Sequence, residues 1–81
     1  MKKRYEDGVV PKNSRDVRMD MAKQMREARL GMNLTQQVVA ERAGTKKSNI
    51  SRMESGKYNP TLDFLVKVAE SMDKQISIHI D

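Results

Sequence analysis

The sequence has no cysteine and no tryptophan among its 81 residues, and only one histidine. Without cysteine there is no disulfide framework and no thiolate metal site, which fits a reducing cytoplasm. The lone His79 cannot supply a ligand cluster, and no glycine-rich phosphate loop or paired nucleophile and base accompanies it. Catalysis, metal and cofactor are therefore not expected. Long apolar runs are also missing: nothing approaches the roughly 20 residues that span a bilayer. The segment MKKRYEDGVVPKN lacks the apolar stretch of a signal peptide, so the expected location is cytoplasmic, with no membrane contact. No internal repeat or low-complexity segment is present.

What remains is charge and helical periodicity. The formal charge is +5 and the pI about 9.8, a balance that favours a polyanionic partner such as nucleic acid. The length allows one small domain with short appendages, a size that often gains stability by oligomerising. Residues 1–13 mix charge with Gly8 and Pro11 and keep no period, so they read as a mobile arm. Lys2, Lys3 and Arg4 there read as a solubilising tail before a groove-reading one. Ser14 can cap a first helix running to about Gly31, with Val17, Met21, Met25, Ala28 and Met32 as its apolar stripe. The methionines beyond Met1 fall mainly on such stripes and read as core. After the loop Gly56-Lys57-Tyr58-Asn59-Pro60, Thr61 can cap a last helix through about Met72. Leu62, Leu65, Val68, Ala69 and Met72 face inward there, and Tyr58 is expected to pack on the loop. The domain thus spans residues 14–73 and is all-α, a compact four-helix arrangement.

The central segment LTQQVVAERAGTKKSNISRMESG, residues 34–56, reads as two short helices about one tight turn. Val39, Ala40 and Ala43 share one side of the first helix. Gly44 supplies the left-handed residue that ends it, and Thr45 can cap the next. Ile50 and Met53 form the inward stripe of that second helix. At 100° per residue, Lys47, Ser48, Ser51, Arg52 and Ser55 fill an arc of roughly 140° without apolar side chains. Small hydroxyls allow close approach to a DNA groove, and Lys and Arg reach phosphates or guanine edges.

Two charges interrupt the apolar pattern. Arg29 lies one turn after Met25, and Glu54 one turn after Ile50. A lone buried charge is costly and these two have opposite signs, so a structural Arg29–Glu54 pair joining the first helix to the third is expected.

Leu34-Thr35-Gln36, Ala40, Gly44, Ile50-Ser51, Glu54-x-Gly56-Lys57, Pro60 and Leu65 through Ala69 together resemble the helix-turn-helix domain of the phage-repressor family, which includes the lambda repressor and Cro proteins. The likeness runs from about Gln24 to Met72. Val38 departs from it, standing where the family often has a glutamate, and leaves a Thr35 cap without a Glu or Gln partner. The resemblance implies a four-helix DNA-binding domain, and its members carry an ion pair at the positions of Arg29 and Glu54. It also implies that Gln36 holds a phosphate and braces the recognition helix, and that Lys47, Ser48 and Arg52 reach bases. Lys46 and Ser51 lie at the margin of that set. Arg52 is the candidate for bidentate contact to guanine. Asn49, Lys57 and Asn59, which flank the helix or follow it, are candidate phosphate contacts; Ser55 reads as a residue that avoids clashes.

Residues 74–81 read as a dimerisation strand: Gln75 to Asp81 alternate strictly, with Ile76, Ile78 and Ile80 on one face. Val9-Val10 is too short to partner it. Antiparallel pairing with the same strand of a second copy would satisfy its backbone, which predicts a homodimer. The tail is similar to that of HipB-type antitoxins of the family. The resemblance then implies a repressor acting on a pseudo-palindromic operator, with a toxin protein as a further partner. A stand-alone phage-type repressor, or a protein-interaction module on the same scaffold, are the alternatives.

Overall fold

The computed structural model describes residues 12–81; the arm expected over the first residues, with Lys2, Lys3 and Arg4, lies outside them up to Pro11. Four helices follow one another: α1 Lys12–Gly31, α2 Gln36–Ala43, α3 Lys47–Ser55 and α4 Leu62–Ser71. The first helix already includes Lys12, so Ser14 is a helical residue rather than the cap expected for it. α2 packs on α3 and α4, and α1 packs on α3. Val39, Ala40, Ala43, Ile50, Met53, Val68, Ala69, Met72 and Met25 form one buried cluster. Ile50, Met72, Val39 and Val68 are fully enclosed, and such burial contributes about 1.5–3 kcal/mol per large aliphatic side chain.

Two ends of the expected stripes face solvent instead. Val17 is exposed; the approach of α1 to Gly56 is made further along the helix, at Met19 and Ala22. Ala22, absent from the expected stripe, is buried at that approach. Leu62 opens α4 and is also exposed, while Phe64 and Leu65 pack against the core from the same turn.

Helix ends follow local chemistry. The Thr35 hydroxyl accepts from the Val38 N–H and the Thr61 hydroxyl from that of Phe64, each at 3.1 Å. Leu34 N–H to Arg29 O, Thr45 N–H to Ala40 O and Lys74 N–H to Ala69 O close the ends of α1, α2 and α4. In each case a left-handed residue lies just before the donor: Asn33, Gly44 and Asp73. α1 ends at Gly31 as expected, and Asn33, with φ +57°, turns the chain after it.

The expected C-terminal strand does not form in the single chain. Residues 74–81 carry no regular secondary structure, and no strand occurs among the described residues. A strand is held by hydrogen bonds to a neighbour, and the described residues supply none. Nor do the three isoleucines share one environment: Ile76 packs on the core, whereas Ile78 and Ile80 are exposed.

The deepest polar contact joins α1 to α3. Arg29 Nε donates to Glu54 Oε2 at 2.7 Å and Arg29 Nη2 to Glu54 Oε1 at 2.9 Å. The side chains retain 10% and 5% of their exposure, so this is a buried ion pair. Arg29 Nη1 donates to the Leu34 carbonyl at 2.9 Å, and Gln36 Nε2 to Glu54 Oε1 at 3.2 Å. The hydrogen bond to Glu54 raises the Arg29 pKa against the lowering effect of burial, with the carboxylate's charge adding to the rise. Because the shift is upward, the arginine's contribution is present below its ordinary range and is lost only as pH climbs through the raised value.

Two stability predictions follow from these contacts. Gly56 has φ +70°, and a Cβ there would overlap the Met19 sulfur and approach Met19 Cα at 3.2 Å. Gly56→Ala should cost about 2–4 kcal/mol from backbone strain and overpacking, whereas Gly31→Ala, with open space around it, should add about 0.5–1 kcal/mol. Urea titration followed by circular dichroism reads both signs. Glu54→Gln and Arg29→Met should each destabilise by about 3 kcal/mol by stranding the partner's charge, while Arg29→Met combined with Glu54→Leu should recover most of that loss. Additive losses in the double variant would contradict the pair's role.

Candidate nucleic-acid interface

The outward face of α3 follows from its inward one. With Ile50 and Met53 fixed in the core, helical spacing turns Lys47, Ser48, Ser51 and Arg52 to solvent, and all four are exposed, as are Lys46 and Asn49. The turn between α2 and α3 is only residues 44–46, and Gly44 makes it with φ +68°. α3 begins after Lys46, which makes no side-chain cap. Thr45, the expected cap, sits one residue too early; its hydroxyl instead accepts from Asn49 Nδ2 at 2.9 Å. That bond leaves Asn49 one amide hydrogen for another acceptor. Ser55 closes the other end, donating to the Arg52 carbonyl at 2.6 Å and accepting from the Lys57 N–H at 3.2 Å.

The candidate residues divide between two open grooves beside α3. Gln36 and Lys47 line one of ≈ 710 Å³ together with Arg29, Asn33, Thr35 and Gln37, around the start of α2. Asn49, Arg52 and Asn59 line another of ≈ 360 Å³ with Thr45, Tyr58 and Thr61, between α3 and the loop that follows. Ser48, Ser51 and Lys57 are exposed and line neither. Within residues 46–57 the cations are Lys46, Lys47, Arg52 and Lys57, and the single anion, Glu54, is taken by Arg29. Among the described residues, the face therefore presents positive charge at both grooves with no ion-pair partner.

One contact was not legible in the sequence. The Arg52 guanidinium lies over the Tyr58 ring, 5.2 Å from its centroid, within cation–π range. Tyr58 is exposed rather than packed into the loop. The two residues are separated by the left-handed turn at Gly56, so no helical or strand period connects them. Among the described residues, no group of three or more His, Asp or Glu side chains is placed to hold a metal ion. No helix there is long and apolar enough to cross a membrane.

Comparison with known proteins agrees with this geometry. Residues 25–78 match the helix-turn-helix family. An uncharacterized HTH-type transcriptional regulator of Archaeoglobus fulgidus is 36% identical over 56 residues, covering 69% of this chain and 79% of that protein. Another, from Methanothermobacter thermautotrophicus, is 33% identical over 51 residues, covering 63% and 74%. Among solved structures, a toxin-antitoxin module from Streptococcus pneumoniae superposes with a TM-score of 0.68 at 28% identity, over 91% of this chain and 85% of that one. With two helices joined by a three-residue turn, a cationic second helix and a family match across more than half its length, this chain belongs to the lambda repressor/Cro-type helix-turn-helix family.

Proposed function

We propose that the protein is a sequence-specific DNA-binding transcriptional regulator that acts as a homodimer, by binding rather than by catalysis. The observation that carries this reading is the α3 face: exposed cations and small hydroxyls, no apolar side chain, and a buried ion pair fixing the helix behind them. In this reading α3 enters the major groove, with residues at its two ends and in the loop that follows facing the flanking phosphates. Lys47, Ser48 and Arg52 read base edges, with Lys46 and Ser51 beside them, and Arg52 makes a bidentate contact to guanine. Gln36 keeps one amide hydrogen free of Glu54 and gives it to a phosphate; Asn49, Lys57 and Asn59 hold others. Such contacts set orientation, whereas the base contacts set sequence.

The dimer rests on the tail. Ile78 and Ile80 are exposed on an alternating segment, and pairing with its copy in an antiparallel ladder would satisfy the backbone and bring the isoleucines of the two copies together on one face. Two recognition helices would then face half-sites about one DNA turn apart, or a multiple of it, on a pseudo-palindromic operator. Occlusion of a promoter by this dimer gives repression. The likeness to a toxin-antitoxin module supports an antitoxin role, with the regulator repressing its own operon and binding a toxin protein.

The test is fluorescence anisotropy on duplex DNA from immediately upstream of the protein's own gene, against a scrambled duplex, at two salt concentrations. The upstream duplex should bind more tightly, with a log–log salt slope of about −0.9 per phosphate contact. Arg52→Ala should cost about 1–3 kcal/mol on that duplex and little on the scrambled one, while Lys57→Ala should weaken both and reduce the slope by about 1. Equal, weak binding to both duplexes would favour a protein-interaction role. For the dimer, Ile78→Lys should shift the sedimentation coefficient from dimer to monomer; a wild-type chain that sediments as a monomer throughout would remove the strand-pairing proposal.

A further inference from the structure

We infer that Tyr58 is a specificity-determining positioning residue, which holds the Arg52 guanidinium in the orientation that reads a guanine. The inference rests on the DNA-binding reading above and names the residue that tunes its main base contact. Arg52 is an exposed, long side chain on α3, and an unrestrained arginine there would spread over many rotamers. Its guanidinium instead lies 5.2 Å from the Tyr58 ring centroid. A planar cation resting on an aromatic face keeps its edge N–H groups free while its plane is fixed. Bidentate recognition of guanine O6 and N7 requires that same edge and a defined plane.

The backbone that carries the ring is held on both sides. Gly56 turns the chain back with φ +70° against Met19 and Ala22 of α1. The Ser55 hydroxyl receives the Lys57 N–H, so the backbone just before Tyr58 is tied to the end of α3. Pro60 and the Thr61 cap of α4 follow closely on the other side. Arg52, Tyr58 and Asn59 line the same open groove, so the guanidinium edge has room for a base. The stack thus lowers the ordering that binding demands of Arg52, and the gain appears only where a guanine accepts its two bonds.

The experiment compares Tyr58→Phe and Tyr58→Leu with wild type, on the duplex that the wild-type chain selects from a random library and on a scrambled control. Tyr58→Leu should reduce the ratio of selected to scrambled affinity by about three- to tenfold, with scrambled binding and melting temperature unchanged. Tyr58→Phe, which keeps the ring, should stay within about twofold of wild type. Single replacement of operator guanines by 7-deazaguanine, which lacks the N7 acceptor, should weaken wild type at one position in each half-site and have a smaller effect there in Tyr58→Leu. In the DNA-free protein, the Arg52 δ-methylene protons should show an upfield ring-current shift that is lost in Tyr58→Leu. An unchanged affinity ratio in Tyr58→Leu, or equal loss on both duplexes, overturns the positioning role. Failure of the random library to yield a preferred duplex for wild type overturns the DNA reading itself, and the proposal with it. The ring-current shift reports on the stack in either case.

Discussion

Two opposite charges inside an otherwise apolar stripe set the geometry of this domain. Arg29 and Glu54 come from α1 and α3, and each would be intolerable in its position alone. Joined by two hydrogen bonds, they fix the rotation and approach of the recognition helix against the long first helix. The same arginine takes the Leu34 carbonyl, and the same glutamate takes the Gln36 amide. The turn before α2, the first residue of α2 and the end of α3 are thereby tied to one buried point. A small domain with a limited core gains orientation from such a contact, because greasy packing alone tolerates sliding and a bidentate pair does not.

The interface inherits that orientation. Ile50 and Met53 hold one side of α3, Glu54 holds its end, and the remaining positions have nowhere to turn but outward. The two flanking grooves differ in their makeup. One is bounded by α1, the start of α2 and Lys47, and its polar groups are backed by the ion pair. The other is bounded by the loop after α3 and contains the Arg52–Tyr58 stack. The side chains nearest the first are held by charge and hydrogen bonding, and those nearest the second by an aromatic face and a left-handed turn. The second arrangement reduces the freedom that Arg52 would otherwise lose on binding.

Much of this could be read from residue spacing. Val39, Ala40, Ala43, Ile50 and Met53 lie in the core as their periods require, and Thr35, Gly44 and Thr61 act at the helix ends with the chemistry their side chains or lack of one allow. The misses have local causes. Thr45 loses the cap because the turn places α3 one residue later, and Asn49 then claims the hydroxyl. Val17 and Leu62 satisfy their helical periods, but no neighbouring element reaches them.

The sequence by itself determined the helical class, the two-helix turn, the polar arc of α3 and the need for an Arg29–Glu54 pair, since each follows from periodicity, capping or the cost of a lone buried charge. Only the tertiary structure decided which candidates share a groove, that Arg52 rests on Tyr58 and that the tail of the single chain stays irregular. Those outcomes depend on contacts across turns and between elements, and on whether a strand finds a partner. Spacing along a chain carries no record of such distances.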